Sequence, residues 1–593
     1  GLTIMMEIST LGTKICDDAI HYSNGKIVNK NRFVEISPFT LADEYSFTES
    51  DNIIPDIDVQ ETNSYLKDIF LKELHGDIVK DLVSSSAEYI VIDLLICRLF
   101  FNEFTFENGR TFRITLSSTC RANLDTLRKY LCDKTGLAIR SERIINPAKL
   151  SEEELTKELL NFINLLRLRF AGKKIILLNT RAVYHYLNTK LEVLLINNIN
   201  NCADMNIFFK KCTDIFTKNY CCTQIDMPQN LICDTRIKSE LCFHYSYYYY
   251  DYINSCLKSI NGNTYDNSQK ATLLNQYELR QLADIEDGSM KTLASLTFLR
   301  YKGRKLILIG DNLAYEYWLK KMYGIIVAKR IHYTAESTFE SVYEQLNETA
   351  YQYKDYICVV PHIYTGTDVL KAVWTCGFAM QSDCITAIHQ PYTLKNFVGE
   401  YTDCYNNHIL AESPVTLEVK GSGSHVSIGH GVHAFNEQLR FIILNDVTLA
   451  IGKRTFTSKN KVITSTIYDG GKVIIGDNVN LGNNVHIRCS FFDNTYIGDN
   501  TVVGDDTVIF NGDGHAIISV DTGENINYDL NNSSEEKHII TIGSNVTIGK
   551  DCFVLSGSFI SDKSIVRDKS LVNKRFDCAA LIAGHPAHLI KKL

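Results

Sequence analysis

The stretch VIFNGDGHAI (508–517) places His515 two residues after Asp513 in a polar Asp-Gly-His turn. An imidazole can take up a proton and release it near neutral pH, so a histidine in such a turn is a candidate general base. The carboxylate of Asp513 could orient this imidazole or hold a substrate. Either residue could instead serve only the hydrogen bonding of the turn. The residue types therefore predict acid–base chemistry centred on His515.

The chain on both sides of this turn carries apolar residues at six-residue spacing, in an unbroken series from Ile542 and in an earlier series that is interrupted between Ile487 and Ile497. A period of six fits neither an amphipathic helix nor a simple strand. It is typical of a parallel β-helix, in which three six-residue units close one triangular coil and the apolar side chains stack inside. A chance period in a β-sandwich is the alternative, which the unbroken series from Ile542 disfavours. The apolar positions are Ile475, Leu481, Ile487, Ile497, Val503, Ile509, Ile542, Ile548, Val554, Ile560, Val566 and Val572.

The six-residue rhythm stops between Ile509 and Ile542, where the sequence is polar and rich in Gly, Asn and Asp. Because this segment cannot supply the apolar stack, we expect it to leave the prism as a loop, a usual place for functional residues on a rigid scaffold. One coil earlier, the stretch NNVHIRCS brings Asn483, Asn484 and His486 to a turn. That turn could face the loop in the same or a neighbouring subunit, so we expect these three residues on the substrate side.

Residues 1–263 alternate strands and helices, which predicts an α/β domain with a parallel sheet. The stretches AEYIVIDLL (87–95) and KKIILLNT (173–180) have the pattern of buried strands. Between them, residues 151–170 have the pattern of an amphipathic helix, and Ser151 with Glu154 predicts a capping box at its start.

Residues 264–400 predict a linker helix followed by a small Rossmann-like α/β unit. Its strands are expected in RKLILIGDN (304–312), GIIVAKRI (324–331) and DYICVVPH (355–362), with helices between and after them. A lone Gly310 after the first strand is a weak dinucleotide signal, since the GxGxxG spacing is absent. The unit could bind a nucleotide-sugar or only pack against the coils, which we place in residues 401–593.

The composition excludes several classes of protein. The net charge of −8 argues against nucleic-acid binding. The 18 Cys are scattered without zinc spacing, so no metal is expected. No apolar run approaches the ~18 residues of a membrane helix, and the first residues do not have the pattern of a secretory signal. Free thiols in a cytoplasmic protein are the simplest interpretation.

The coils, the interrupting loop and the chain end together resemble the hexapeptide-repeat acyltransferases, which fold as a left-handed parallel β-helix. The resemblance is to bacterial sugar O-acetyltransferases in particular. It is carried by DGHAIISVDTGENIN (513–527) and LIAGHPAHLIKK (581–592), and it covers roughly residues 420–593. Three positions depart from the family's pattern. His585 stands where the family usually has Asn, His588 where it has Lys, and Thr547 where it has Trp.

The resemblance implies an O-acetyltransferase that modifies a bacterial surface polysaccharide, such as a capsule or O-antigen. Acetyl-CoA would transfer its acetyl group directly to a sugar hydroxyl, with His515 as general base and backbone N–H groups holding the oxyanion. The residues implied for coenzyme binding are Gly549, Gly557, Lys574 and Arg575, although the last two could be only solvated surface charge. The resemblance also implies a homotrimer with a glycan acceptor.

The first domain resembles SGNH-hydrolase-like domains with a flavodoxin-like sheet. The resemblance is carried by LGTKICDDAI (11–20), YIVIDLL (89–95), IILLNTRAV (175–183) and CFHYSYYYYDYI (242–253). Thr13 stands where active members have Ser, while Asn179, Asp234 and His244 stand near the places of the other catalytic residues. The missing Ser favours a polymer-binding domain over an esterase. The tyrosine run at 247–250 could stack on sugars or pack as one helix.

Three alternatives remain open at this point. The chain could be a nucleotide-sugar N-acetyltransferase, or a bifunctional acetyltransferase and esterase. It could also be a non-catalytic scaffold whose β-helix only trimerises the chain.

Overall fold

The computed structural model describes residues 5–41, 64–119, 124–229, 231–234, 243, 245–334, 337–347, 354–361, 367–378, 382–386, 389, 391–434, 439–457, 463–512, 519–521 and 535–593. The chain divides into two compact units. Unit 1 comprises residues 1–183 and 204–280, and unit 2 comprises residues 184–203 and 281–593. Among the described residues, none of the helices combines the length and the apolar character needed to span a bilayer.

The helices of the described chain are, in order, α1 (Lys14–His21), α2 (Pro38–Leu41), α3 (Ser64–His75), α4 (Asp77–Ser84), α5 (Leu116–Thr119), α6 (Leu124–Thr135), α7 (Glu152–Arg169), α8 (Ile199–Asn219), α9 (Tyr247–Asn261), α10 (Asn267–Tyr301), α11 (Leu313–Tyr323), α12 (Phe339–Asn347) and α13 (Thr367–Thr375). Short 3-10 helices cover Leu94–Arg98, Pro147–Lys149 and Glu535–His538.

The strands that precede the coils are β1 (Met6–Gly12), β2 (Ile27–Val34), β3 (Tyr89–Asp93), β4 (Phe101–Phe106), β5 (Thr111–Thr115), β6 (Ile139–Ile145), β7 (Lys174–Leu178), β8 (His185–Leu187), β9 (Val193–Leu195), β10 (Thr223–Ile225), β11 (Cys233–Asp234), β12 (Lys305–Ile309), β13 (Lys329–Ile331), β14 (Tyr356–Val360) and β15 (Cys384–Thr386).

Unit 1 is built on a five-stranded sheet in the order β10-β7-β3-β1-β2, and all its neighbouring strands are parallel. Every residue of β3 is buried, as expected for a strand covered on both faces by helices. The predicted helix at 151–170 is confirmed as α7. Its capping box is also confirmed, because Ser151 and Glu154 exchange side-chain and backbone hydrogen bonds. An antiparallel sheet of β5, β4 and β6 is inserted after β3.

The α/β part of unit 2 is a four-stranded parallel sheet in the order β13-β12-β14-β15. Its core is formed by the apolar faces of β12 and β14 against α11, α12 and α13. The predicted strand in GIIVAKRI is shorter than expected and covers only Lys329–Ile331. The reason lies at its start, where Gly324 ends α11 in a left-handed conformation and Ile326 is 71 % exposed.

The strands from the start of the coils onward are β16 (Tyr392–Thr402), β17 (His408–Val419), β18 (His425–Ile428), β19 (His433–Ala434), β20 (Leu439–Ile443), β21 (Thr448–Ile451), β22 (Phe456–Thr457), β23 (Ile463–Ile467), β24 (Lys472–Ile475), β25 (Asn480–Leu481), β26 (His486–Cys489), β27 (Asn494–Ile497), β28 (Val502–Val503), β29 (Val508–Asn511), β30 (Ile539–Ile542), β31 (Thr547–Ile548), β32 (Phe553–Leu555), β33 (Phe559–Ile560), β34 (Ile565–Val566), β35 (Leu571–Val572), β36 (Arg575–Phe576), β37 (Ala580–Gly584) and β38 (Ala587–Lys592).

These strands form a prism with three faces of parallel strands, because each strand from β18 to β34 pairs with the strand three places further along the chain. Face 1 runs from the first half of β17 through β18, β21, β24, β27, β30, β33 and β36. Face 2 runs through β19, β22, β25, β28, β31, β34 and β37. Face 3 runs from the second half of β17 through β20, β23, β26, β29, β32 and β35. One coil therefore passes from face 1 to face 2 to face 3, and the predicted parallel β-helix is confirmed.

The predicted six-residue apolar series lies inside this prism. In face 1, Ile475 pairs with Ile497, which pairs with Ile542 and then Ile560. All twelve positions named from the sequence are at most 2 % exposed. The turns between strands often place Asn or Asp in the left-handed region, as at Asn500 (φ 54°), since these side chains tolerate that conformation.

Candidate active site

The segment that interrupts the rhythm lies between β29 and β30, where the chain passes from face 3 to face 1. We call this edge the loop corner. It consists of the turns 444–447, 468–471, 490–493, 556–558 and 573–574, together with the insertion 512–538 between β29 and β30. His515 and Asp513 lie within the insertion and outside the described residues, so their positions stay a prediction. The described ends of the insertion, however, form a defined group of polar residues.

Asn511 links the start of the insertion to its end and to strand β27. Its side chain is fully buried, and its Nδ2 donates to the carbonyl oxygens of Asn494 (2.7 Å) and His538 (3.1 Å). A buried amide that donates to both strands fixes where the chain leaves face 3 and where it returns to face 1. The Oδ1 atom of Asn511 is buried as well.

Gly512 follows in a conformation that requires glycine. Its φ is +89°, and a Cβ built on it would lie 2.3 Å from the Cβ of Ser490 and 2.4 Å from Oδ2 of Asp493. Its backbone N–H donates to Oγ of Ser556 at 2.5 Å. The first step of the insertion is therefore packed tightly between the coil before it and the coil after it.

An imidazole and a carboxylate meet at the other end of the insertion. Nδ1–H of His538 donates to Oδ1 of Asp493 at 2.9 Å. The Asp493 side chain is 0 % exposed and the His538 side chain 19 % exposed. The ladder produces this pairing, because the next residues, Asn494 and Ile539, are partners in the register of β27 and β30.

Three of the four residues predicted for coenzyme binding lie on the loop corner. Gly557 adopts φ +77° and donates its N–H to the carbonyl of Ile539 at 3.1 Å. Lys574 lies in the turn 573–574 and Arg575 begins β36 directly after it, and both are exposed. The guanidinium of Arg575 lies 4.4 Å over the ring of Phe559 and 3.7 Å from Glu536. Cationic side chains here could meet phosphate groups.

The other predicted residues lie on the corner between faces 2 and 3. Asn483 donates its backbone N–H to Asp505 (2.7 Å), and Nδ2 of Asn484 donates to Asp506 (2.9 Å). His486 is exposed, and its Nε2–H donates to Oδ1 of Asn484 at 3.0 Å. These contacts join neighbouring turns of the prism. His486 begins β26, whereas the insertion leaves from the far end of the neighbouring strand β29.

Gly549 also lies on this second corner. A Cβ on it would lie 2.3 Å from Oδ1 of Asp568 in the next coil, so the close stacking of turns explains this glycine without any ligand. The structure therefore brings together Gly557, Lys574 and Arg575, and separates Gly549, Asn483, Asn484 and His486 from them. Within this second group, the three residues predicted for substrate contact do lie side by side.

Two thiols of the coils, Cys489 beside the loop corner and Cys552 on the corner between faces 2 and 3, are unsuited to nucleophilic catalysis. Burial raises the pKa of Cys489 to about 12, and its Sγ–H donates to the carbonyl of Asp493 at 3.0 Å. Burial also raises the pKa of Cys552. Because the thiolate is the nucleophilic form, these two thiols stay inert at neutral pH. Burial further raises the pKa of Asp469, in the turn 468–471, to about 6.

The α/β part of unit 2 packs against the loop corner one coil before the insertion. Phe491 belongs to the turn 490–493, and its ring lies 5.0 Å from Trp374 of α13. Both side chains are in the same buried cluster, and Tyr468 and Phe492 pack against it. Asp493 therefore ends a turn that packs against the neighbouring sheet and its helices.

Of the residues predicted for a site in unit 1, Thr13 belongs to a buried hydrogen-bonded group with Asp93. Thr13 is 4 % exposed and donates both its N–H (2.7 Å) and its hydroxyl (2.9 Å) to Oδ2 of Asp93, whose pKa is raised by burial. Asn179 donates to Gln224 (2.9 Å) and Asp226 (3.2 Å). Asp234 is buried. His244 lies outside the described residues.

The tyrosine run belongs to helix α9. Tyr249 and Tyr250 are at most 1 % exposed, and Tyr250 stacks on Tyr22 at 5.3 Å. Helix packing therefore accounts for these two rings, and they are not available to stack on a sugar.

The sequence analysis does not identify Asp493 or Asn511 as functional residues. The signal that finds them is the register of the coils. Aligning Ile497 with Ile542 across the interruption places position 493 opposite position 538. Within the described residues, no group of three or more His, Cys, Asp or Glu side chains is placed to hold a metal ion.

No family model matches the chain, and no curated protein does. Solved structures that the chain resembles include two acetyltransferases of polysialic acid. The polysialic acid O-acetyltransferase OatWY is 21 % identical, with a TM-score of 0.23 over 29 % of this chain and 76 % of that chain. The polySia-specific acetyltransferase NeuO is 19 % identical, with a TM-score of 0.17 over 30 % of this chain and 86 % of that chain.

A third resemblance extends further along the chain. The acetyltransferase domain of PglB from Neisseria gonorrhoeae, solved in complex with acetyl coenzyme A, is 10 % identical. Its TM-score is 0.13, over 48 % of this chain and 99 % of that chain.

Proposed function

We propose that the chain is an acetyl-CoA-dependent O-acetyltransferase that modifies a bacterial surface glycan and has its active site at the loop corner. The observation that carries this proposal is the packing at the root of the insertion, a name we give to Asp493, Asn511, Gly512 and His538. The stack of coils is continuous on both sides, while Asp493, Asn511, Gly512 and His538 fix the ends of the segment that holds the Asp-Gly-His turn. A chain that needed the coils only for assembly would have no use for such a root.

The chemistry is a direct transfer. A sugar hydroxyl attacks the thioester carbonyl of acetyl-CoA, His515 takes the hydroxyl proton, and the C–S bond breaks to release CoA. Backbone N–H groups of the turns would hold the developing oxyanion, and Asp513 would orient the imidazole. The raised pKa values of Cys489 and Cys552 support a route without an acyl-enzyme on either thiol.

Acetyl-CoA would lie along the loop corner. Lys574 and Arg575 are exposed there and would face its phosphate groups. Gly557 leaves the corner open, because a Cβ added to it would meet no atom closer than 3.8 Å. For the acceptor, Asn483, Asn484 and His486 remain the proposed contacts. Because they lie on the other edge of face 3, their contact with the same site would come from a neighbouring subunit.

A closed homotrimer with left-handed coils follows from the same proposal. Large apolar side chains on the outer surfaces support it. Val502, Phe553 and Ile565 point away from the core of faces 2 and 3 and are 40–43 % exposed in the single chain. A neighbouring prism would cover such a surface. We place the assembled enzyme in the cytoplasm.

For unit 1 we favour a flavodoxin-like, SGNH-related domain that binds polymer without hydrolysing it. Counting only the strands of its sheet, the order is 2-1-3-4-5, as in flavodoxin-like folds. The hydroxyl of Thr13 is already donated to a buried carboxylate, which speaks against a nucleophile at that position. An esterase remains the alternative, in which case wild-type protein would release acetate from an acetylated polymer and Thr13→Ala would not.

One observation favours a second candidate, a nucleotide-sugar N-acetyltransferase. The parallel sheet β13-β12-β14-β15 reverses its direction of winding between β12 and β14, and open α/β sheets bind ligands at such a point, at the carboxyl ends of their strands. This same sheet packs beside the loop corner through Trp374 and Phe491. A small activated sugar held by that sheet would lie near the proposed active site.

The experiment measures thiol release from acetyl-CoA by the purified full chain with polysaccharide, with a nucleotide-sugar, and with no acceptor. The acetylated product is then treated with mild base, which cleaves an ester but leaves an amide. Acceptor-dependent release with a base-labile product supports O-acetylation, and a base-stable product supports the second candidate. No release above the acceptor-free rate with any acceptor leaves the scaffold interpretation.

A further inference from the structure

The carboxylates of Asp493 and Asp469 are both buried at this corner, but they have different hydrogen-bond partners. In the preceding coil, the carboxylate of Asp469 accepts the backbone N–H of Asn445 at 3.0 Å and so stabilises a turn. The carboxylate of Asp493 instead accepts Nδ1–H of an imidazole that returns from the insertion, 45 residues further along the chain. A buried anion is costly unless it is paired, and here its partner is a group that can carry a proton.

The hydrogen bond determines the chemistry of the ring. Because Nδ1 donates to the carboxylate, the nitrogen that can transfer a proton to a bound molecule is Nε2, on the opposite side of the ring. The His538 side chain is partly exposed while Asp493 is fully buried. A carboxylate held behind an imidazole in this way keeps the ring oriented. The backbone is fixed too, since Asn511 donates to the carbonyl of His538.

The surroundings place this imidazole on the coenzyme side of the loop corner. Gly557 donates its N–H to the carbonyl of Ile539, the residue next to His538. Arg575 lies 3.7 Å from Glu536, two residues before His538. Residues proposed to receive acetyl-CoA thus contact both sides of the segment that carries this ring.

We propose that His538 is the acid of the transfer reaction and that Asp493 is its positioning residue; this rests on the proposed function. As the acetyl carbon binds the acceptor oxygen, the electron pair of the C–S bond moves to sulfur. The Nε2–H bond of His538 breaks and an S–H bond forms, so CoA leaves as the thiol. His538 is then neutral and regains its proton from solvent, while the base that took the hydroxyl proton returns it to solvent.

The decisive variant is His538→Asn. The amide nitrogen of asparagine can take the place of Nδ1 and keep the hydrogen bond to Asp493, but nothing takes the place of Nε2. General acid catalysis is typically worth ~10²–10⁴-fold, and a thiolate leaves readily, so we expect kcat to fall by about 10- to 100-fold. The KM values for acetyl-CoA and acceptor should stay within about twofold of wild type. The control is His425→Asn, an exposed histidine of face 1 in the first coils.

Each outcome decides between the roles. A purely structural role is rescued by asparagine, so a His538→Asn protein with wild-type kcat overturns the proposal. If that variant does not fold, Asp493→Asn decides, since its amide oxygen still accepts Nδ1–H without the charge. We expect a loss of about tenfold in kcat with unchanged KM, and wild-type kcat overturns the proposal again. A wild-type protein that transfers acetyl to no acceptor overturns the proposed function and this inference together.

Discussion

Replacing Gly512 by alanine tests whether the root of the insertion is as tightly packed as the structure shows. The new Cβ would meet the Cβ of Ser490 at 2.3 Å and Oδ2 of Asp493 at 2.4 Å. Forcing an extra methyl group into a filled site typically costs about 1–3 kcal/mol. A left-handed conformation costs a residue with a Cβ roughly 1–2 kcal/mol more. Together, Gly512→Ala should destabilise the coils by about 2–5 kcal/mol.

Gly557→Ala is the matched control. Gly557 has a similar φ of +77°, but its Cβ would have no atom closer than 3.8 Å, so only the conformational cost of roughly 1–2 kcal/mol applies. Both substitutions restrict the unfolded chain equally, and this effect cancels in the comparison. Urea unfolding of both variants, followed by circular dichroism, measures the difference. Equal midpoints for the two variants would refute the packing described at Gly512.

Three other predictions concern the activity of a His515 variant, the stability of an Asp469 variant and the oligomeric state. His515→Ala should lower kcat by at least about 100-fold while CoA affinity and melting temperature stay unchanged, and a variant that transfers acetyl within about threefold of wild type would exclude His515 as the base. Asp469→Asn should stabilise the protein by up to about 3 kcal/mol above pH 6 and by nothing near pH 4. The reason is that burial raises the pKa of this carboxyl from 3.8 to about 6. Its ionisation therefore opposes folding only as the pH rises through that window. Equal melting temperatures of variant and wild type at pH 8 would contradict this prediction. Light scattering at micromolar protein should give three times the chain mass of 67.3 kDa, and a monomer would rule out the trimer.

The coils could be predicted from the sequence because every coil needs apolar residues at the same positions inside the prism. Ile542, Ile548 and Val554 each fill an equivalent place inside the prism, so the apolar period survives in the sequence regardless of the residues between them. The capping box of α7 was predictable for a related reason, since Ser151 and Glu154 act within one turn. Signals of this kind depend only on residues close in sequence or on strict repetition.

The root of the insertion could not be predicted in the same way. Asp493 and His538 are 45 residues apart, and they meet only because β27 pairs with β30 across a segment of unrelated sequence. The sequence predicts Asn483 and Asn484 as substrate contacts because they lie one coil before the loop along the chain. In the structure they lie on a different edge of the prism, because one coil carries the chain around three faces before it returns.

The hydrogen-bonded ladders run past the insertion without using it. Strand β27 pairs with β30, and β29 pairs with β32, so the frame is complete whatever lies between residues 512 and 538. Lengthening a loop with fixed ends costs little, about 0.6 kcal/mol for each doubling. A segment of different length could therefore occupy this place while the coils on both sides of it keep their pairing.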